Sequence, residues 1–149
     1  MIGVLAFGLT TSLQAQKMNS EDVPGTVKAG LQKAYSGKDV KWDKEGDNFE
    51  ASFKQKGKET SIVLDASGKT LETEVEINKR ELPVSILDVL KKDYQGYEIE
   101  EAAKIDSNGV ITYETEVEKD EKTFDLIFDG QGKLLKKESK EGEEKEDND

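Results

Sequence analysis

The sequence predicts an α+β fold. Two tandem α-β-β-β-β repeats build one continuous antiparallel sheet of about eight strands, with both helices on one face. Three observations lead there. The stretch Asn48 to Leu71 is written a second time as Thr112 to Leu135. Phe49 answers Tyr113, Glu50 answers Glu114, Leu64 answers Phe128, Asp65 answers Asp129, Gly68 answers Gly132, Lys69 answers Lys133 and Leu71 answers Leu135, all at the 64-residue spacing from Phe49 to Tyr113. Each copy alternates apolar and polar residues between Gly-bearing turns, which is the period of a half-buried strand. Ahead of each copy stands a proline followed by apolar residues four apart, which is the period of a helix.

Taken in order, Val23-Pro24 opens the first helix, because a proline at the first helical position lacks an N–H that would have no partner there. Val23, Val27, Leu31 and Tyr35 form its apolar stripe, and Ser36-Gly37 ends it. Val40-Lys41-Trp42 is a short strand and Glu45 to Asn48 a turn. Phe49, Ala51 and Phe53 point inward on the next strand, Thr60, Ile62 and Leu64 on the one after, and Leu71, Thr73, Val75 and Ile77 on the fourth. The second repeat restates this with Leu82-Pro83, Ile86, Leu90, Tyr94, Gly96 and Ile99. Five residues are then inserted around Glu101 to Gly109, and Ser107-Asn108-Gly109 is a hairpin signal, so the insertion lengthens the strands beside it. Tyr113, Thr115, Val117, Phe124, Leu126, Phe128 and Leu135 point inward, and the last strand frays near Ser139.

Composition narrows the function. Of 149 residues, 37% are charged and 34% hydrophobic, so the core is thin. The net charge of −11 repels phosphate backbones and anionic membrane surfaces, so neither nucleic acid nor stable membrane insertion is expected. The chain has neither cysteine nor histidine. That removes disulfides, thiolate nucleophiles, the commonest general base and the commonest zinc ligand. With 33 acidic residues any carboxylate pair could be nominated as acid and base, so such pairs carry no signal. No enzyme activity, cofactor or metal site is expected.

The ends differ from the middle. Ile2 to Leu13 is apolar and uncharged, and Gln14-Ala15-Gln16 follows it, so residues 1–16 read as a secretory leader whose start lies upstream of Met1. The run is too short to span a bilayer, which takes about 20 apolar residues. Residues 17–139 make the folded domain, as repeats 23–77 and 82–139, after a polar linker over Lys17 to Asp22. Residues 140–149 are acidic, carry no apolar side chain and read as a disordered tail.

The polar side of the strands is the candidate surface for a partner. Its residues are Glu50, Lys54, Val63, Glu72 and Glu74 in the first copy, and Glu114, Glu116 and Ile127 in the second. A solvated face whose acids pair with neighbouring lysines is the plainer account of the same residues. Asp43 to Asn48 lacks the later bidentate glutamate of a calcium loop and reads as a turn. Asp129 to Lys133 has the glycines of a phosphate loop but no following helix N-terminus, so it too is a turn.

Val23-Pro24, Tyr35-x-Gly37, Val40-x-Trp42, Asn48-Phe49-Glu50-Ala51-x-Phe53, Leu64-Asp65-x-x-Gly68-Lys69 and Leu71-Glu72, in duplicate over Val23 to Glu138, resemble the PepSY-like, beta-lactamase-inhibitor-like family. The resemblance implies the fold of the beta-lactamase inhibitor protein, export to the periplasm or beyond, and no enzyme activity. The expected function is a non-enzymatic exported binding or regulatory module for a protein or peptide, acting as a monomer or weak dimer. The alternative is an acidic periplasmic protein that buffers cations or carries a small ligand.

Overall fold

A computed structural model describes residues 15–140. The chain is α+β and runs β1 (Gln16–Met18), α1 (Gly25–Gln32), β2 (Lys41–Glu45), β3 (Asn48–Gln55), β4 (Lys58–Leu64), β5 (Thr70–Glu76), α2 (Val84–Asp93), β6 (Glu98–Ser107), β7 (Val110–Lys119), β8 (Lys122–Asp129) and β9 (Leu134–Ser139). The strands hydrogen-bond in chain order, from β1 to β9. The ninth strand is β1, which runs from Gln16, the last residue of the expected leader, into the expected linker: Gln16 pairs with Lys44, Lys17 with Asp43 and Met18 with Trp42. Its sequence, Gln16-Lys17-Met18, carries one apolar residue, too few for a periodic signal. Residues 1–14 of the expected leader and 141–149 of the expected tail lie outside the described residues.

The chain divides into two compact units. Among the described residues, one takes 15–76 together with Ile105–Val110, and the other takes Ile77–Lys104 together with 111–140.

In the first unit, α1 and its approach lay Val23, Val27 and Leu31 on Trp42, Phe49, Ala51, Phe53, Ile62 and Leu64, and all nine are buried. Pro24 caps the helix from outside: its carbonyl accepts from the N–H groups of Val27 and Lys28 at 3.0 and 3.1 Å. The helix ends earlier than Ser36, because Lys33 and Ala34 donate to the carbonyls three residues back and tighten the last turn. The hairpin loop between β4 and β5 is tied by Asp65, whose Oδ1 accepts from the Ser67 and Lys69 N–H groups at 2.9 and 3.1 Å. The Thr26 hydroxyl then donates to the Ala66 carbonyl at 2.9 Å and docks α1 on that loop.

The second unit repeats these devices with other residues. Leu82, Ile86 and Leu90 of α2 and its approach meet Ala102, Val117, Leu126 and Phe128. Asp129 Oδ1 accepts from Gln131 and Lys133, both at 2.9 Å, and the Ser85 hydroxyl donates to the Gly130 carbonyl at 3.0 Å. A capping box between Asn78 and Glu81 holds the turn that precedes α2. Asn108 and Gly109 both take positive φ, 54° and 88°, in a two-residue hairpin between β6 and β7, each of ten residues.

Leu135 corrects the inward reading. Ile127 pairs with Lys136 and Phe128 with Leu134, so Leu135 is the extra residue of a β-bulge and is 46% exposed. Leu71 is the extra residue at the same place in the first unit, where Val63 pairs with Glu72 and Leu64 with Thr70. The duplicated sequence therefore preserved a bulge, which bends and twists the strand that carries it. The last strand does not fray at Ser139: the Lys140 N–H donates to the Thr123 carbonyl at 2.9 Å.

Candidate functional site

Strand alternation and register place the candidate residues in rows. In the first unit Asp43, Glu50, Val63 and Glu72 stand side by side across β2 to β5. Ser52, Ser61 and Glu74 form the next row. None of them belongs to the apolar cluster under α1. In the second unit the rows are Glu114, Ile127 and Lys136, then Glu116, Asp125 and Glu138.

A solvated face was the expectation, and burial overturns it. Glu50 is 3% exposed, Glu74 3%, Glu72 8% and Glu114 6%, while Val63 and Ile127 are buried as well. The cause is lateral crowding. On a row, cross-strand side chains stand about 4.5–5.5 Å apart, so each is flanked by neighbours, and the bulges at Val63/Leu64 and Ile127/Phe128 bend the strands. Lys54 and Glu116 lie outside this pattern. Lys54 is exposed and pairs with Glu59 at 3.4 Å, and Glu116 is half-buried beside Lys140.

Crowded carboxylates lose water, and their acidity falls. Burial, then the charges of Glu45 and Asp43, push the Glu50 carboxyl up to about 8, against the pull of the Ser61 hydroxyl. Burial raises Glu72, although the Ser107 hydroxyl donates to its Oε2 at 2.6 Å and pulls the other way. In the second unit burial and the Asp125 charge push Glu114 up to about 7. Asp125, 2% exposed, is raised by burial but meets the Lys140 ammonium at 3.3 Å. The same ammonium pairs with Glu116. Glu50 Oε1 and Glu114 Oε2 are buried and have no hydrogen-bond partner. The rows thus combine an aliphatic centre, carboxyls at Glu50, Glu72 and Glu114 that burial makes weaker acids, and an oxygen without a partner on Glu50 and Glu114.

Alternation puts Ser61 and Asp125 on the same side as the candidate residues, whereas sequence reasoning missed Lys140 as a partner of these rows. Lys140 was hidden because it opens a run whose composition reads as tail. Among the described residues no group of three acidic side chains is placed to hold a metal ion, and no helix is long and apolar enough to cross a membrane.

The family model described as "putative beta-lactamase-inhibitor-like, PepSY-like" matches residues 9–72 and 47–136. The chain belongs to this family. The two matches overlap over residues 47–72 and together cover both repeats, and solved structures of other chains share this fold. A "putative periplasmic" protein from Bacteroides eggerthii superposes with a TM-score of 0.72 at 14% identity, covering 78% of this chain and 88% of that one. A DUF2874 family protein from Bacteroides uniformis gives 0.70 at 17%, covering 78% and 88%. A BLIP-like protein from Bacteroides fragilis gives 0.65 at 23%, covering 82% and 89%. Among curated proteins none matches.

Proposed function

We propose that this PepSY-like chain is a non-enzymatic exported binding module for a protein or peptide, working in the periplasm or outside the cell as a monomer or weak dimer. The partner meets the strand side turned away from the helix in each unit, first through the exposed Lys54 and the half-buried Glu116, and reaches the buried Glu50, Val63, Glu72 and Glu74 of the first unit and Glu114 and Ile127 of the second only as the side chains over them move apart. One observation carries the reading. Each unit holds a buried carboxylate oxygen without a hydrogen-bond partner, Glu50 Oε1 and Glu114 Oε2, next in register to a buried aliphatic side chain, Val63 or Ile127. An open acceptor in a desolvated place costs free energy until a donor reaches it. A donor-rich backbone or basic side chain would supply that donor, and the aliphatic neighbour would supply apolar contact.

The inhibitor-like family and its "putative periplasmic" structural relative support an exported, non-catalytic role. The test is a photo-crosslinking residue at Lys54, on the row face, against one at Lys28, on α1, in cell-envelope extract at low salt. Low salt matters because an acidic face attracts through screened charge. Discrete adducts at Lys54 and none at Lys28 are expected. Equal labelling at both, or at neither, would end the reading.

A further inference from the structure

The two repeats solve one packing problem differently, and the difference opens a cleft. In the first unit the Tyr35 ring stacks on Phe53, centroids 3.9 Å apart and 11° from parallel. It also covers Gly37, where a Cβ would stand 2.0 Å from the tyrosine hydroxyl. The second repeat keeps the tyrosine and the glycine, as Tyr94 and Gly96, but sets Val117 where the first has Phe53. Tyr94 has no ring to stack on there and turns its edge to Tyr97, centroids 5.7 Å apart at 80°. A Cβ on Gly96 would meet Lys119, not the tyrosine.

Beside this packing a cleft of about 490 Å³ lies among Leu87, Leu90, Tyr94, Tyr97 and Ile99, with Val117, 1% exposed, at its floor and Lys91, Gln95 and Gly96 on its wall. That volume lies within the ~300–1,000 Å³ of small-molecule sites. Its charge is opposite to that of the chain. Lys91 is the one charged residue of the wall, and no acid lines it, in a protein of net charge −11. The Lys119 ammonium stands beside it, donating to the Gln95 carbonyl at 3.3 Å and lying 5.7 Å from the Tyr97 ring centre. The first repeat has Gln32 at the place of Lys91 and Lys38 at the place of Tyr97, so the cation and the aromatic wall belong to the second copy alone.

We propose that this cleft between α2 and the start of β6 binds a small monoanion with an apolar body, the chain or ring against Leu87, Tyr97 and Val117 and the anionic head toward Lys91 and Lys119. This goes beyond the protein-binding role of the strand rows and does not depend on it. Decanoate is the probe, with decanol and decylammonium as its neutral and cationic counterparts, followed by amide and methyl NMR shifts of the whole chain. Saturable shifts confined to Leu87, Tyr97, Ile99 and Val117 are expected, with decanoate bound about threefold more tightly than decanol, as one partly exposed charge allows. Lys91→Gln should remove that preference. Val117→Phe rebuilds the stack of the first repeat and should weaken decanoate at least about tenfold by filling the volume. Should that variant fail to fold, Tyr97→Ala removes the aromatic wall and should weaken binding comparably. The proposal is overturned by the absence of saturable shifts, by decylammonium binding as tightly as decanoate, or by unchanged binding in the folded wall variant.

Discussion

Gly30 and Gly68 touch backbone to backbone: a Cβ on Gly30 would lie 2.0 Å from the Gly68 carbonyl oxygen. Gly68 in turn has φ +83° and no room for a Cβ against the Thr26 carbonyl, 2.2 Å away. Helix α1 rests on the β4–β5 loop through this contact. Alanine normally stabilises a helix over glycine by about 1 kcal/mol. Gly30→Ala should reverse that sign and cost about 1–3 kcal/mol through overpacking. Gly25→Ala, in open space on the same helix, should not destabilise. Urea midpoints of the two variants check the contrast.

Trp42 is 5% exposed and sits in the first unit's apolar cluster. Trp42→Ala should cost about 3–5 kcal/mol. Native tryptophan emission should be blue-shifted and resist quenching by iodide. A loss under 1 kcal/mol, or free quenching, would contradict the burial.

Stability should fall as pH rises through neutrality. An unfolded glutamate titrates near ~4.3, whereas Glu50 is pushed up to about 8 and Glu114 up to about 7 by burial first and by acidic neighbours second. The folded state therefore holds these protons longer. Their contribution is fully present below the unfolded value and is lost as pH climbs through the folded one. Glu50→Gln should leave the melting temperature nearly unchanged at pH 5 and raise it by a few degrees at pH 9. Equal effects at both pH values would rule out a raised Glu50.

Lys140 neutralises Asp125, which is 2% exposed, while its own side chain is 34% exposed. Lys140→Ala leaves that carboxylate with acids for neighbours and should cost about 1–3 kcal/mol, less than for a fully buried pair. Adding Asp125→Ser, the residue of the first repeat at Ser61, should recover most of the loss. A double-mutant cycle with no coupling would show the pair to be inert.

Thr115 is fully buried and its hydroxyl has no hydrogen-bond partner. The first repeat has Ala51 there. Thr115→Val keeps the shape and removes the unsatisfied donor, so it should stabilise by about 1 kcal/mol. Thermal melts decide the sign.

Much of this protein follows from sequence alone. Local rules fix the elements: a repeated Pro-led stripe sets each helix, alternation sets the strands, and Asp65 and Asp129 with their glycines set matching turns. The inward residues that form the two apolar clusters, from Val27 to Phe128, could be read because each helix stripe needs an apolar strand face to cover, and the duplication doubled every signal. The strand β1 escaped because Gln16-Lys17-Met18 is held by pairing with β2 and not by any pattern of its own. Leu135 escaped because a bulge shifts register by one residue, which alternation cannot show.

What only tertiary structure decided was which polar residues are dry. Glu50 and Glu114 occupy strand positions that alternation assigns to water, yet cross-strand neighbours close over them and leave an oxygen without a donor. The cleft beside Tyr97 was equally unreadable, because the change of Phe53 to Val117 looks conservative in sequence. Composition and period describe each residue's own preference, whereas burial, acidity and cavities arise from what neighbours far along the chain do to it.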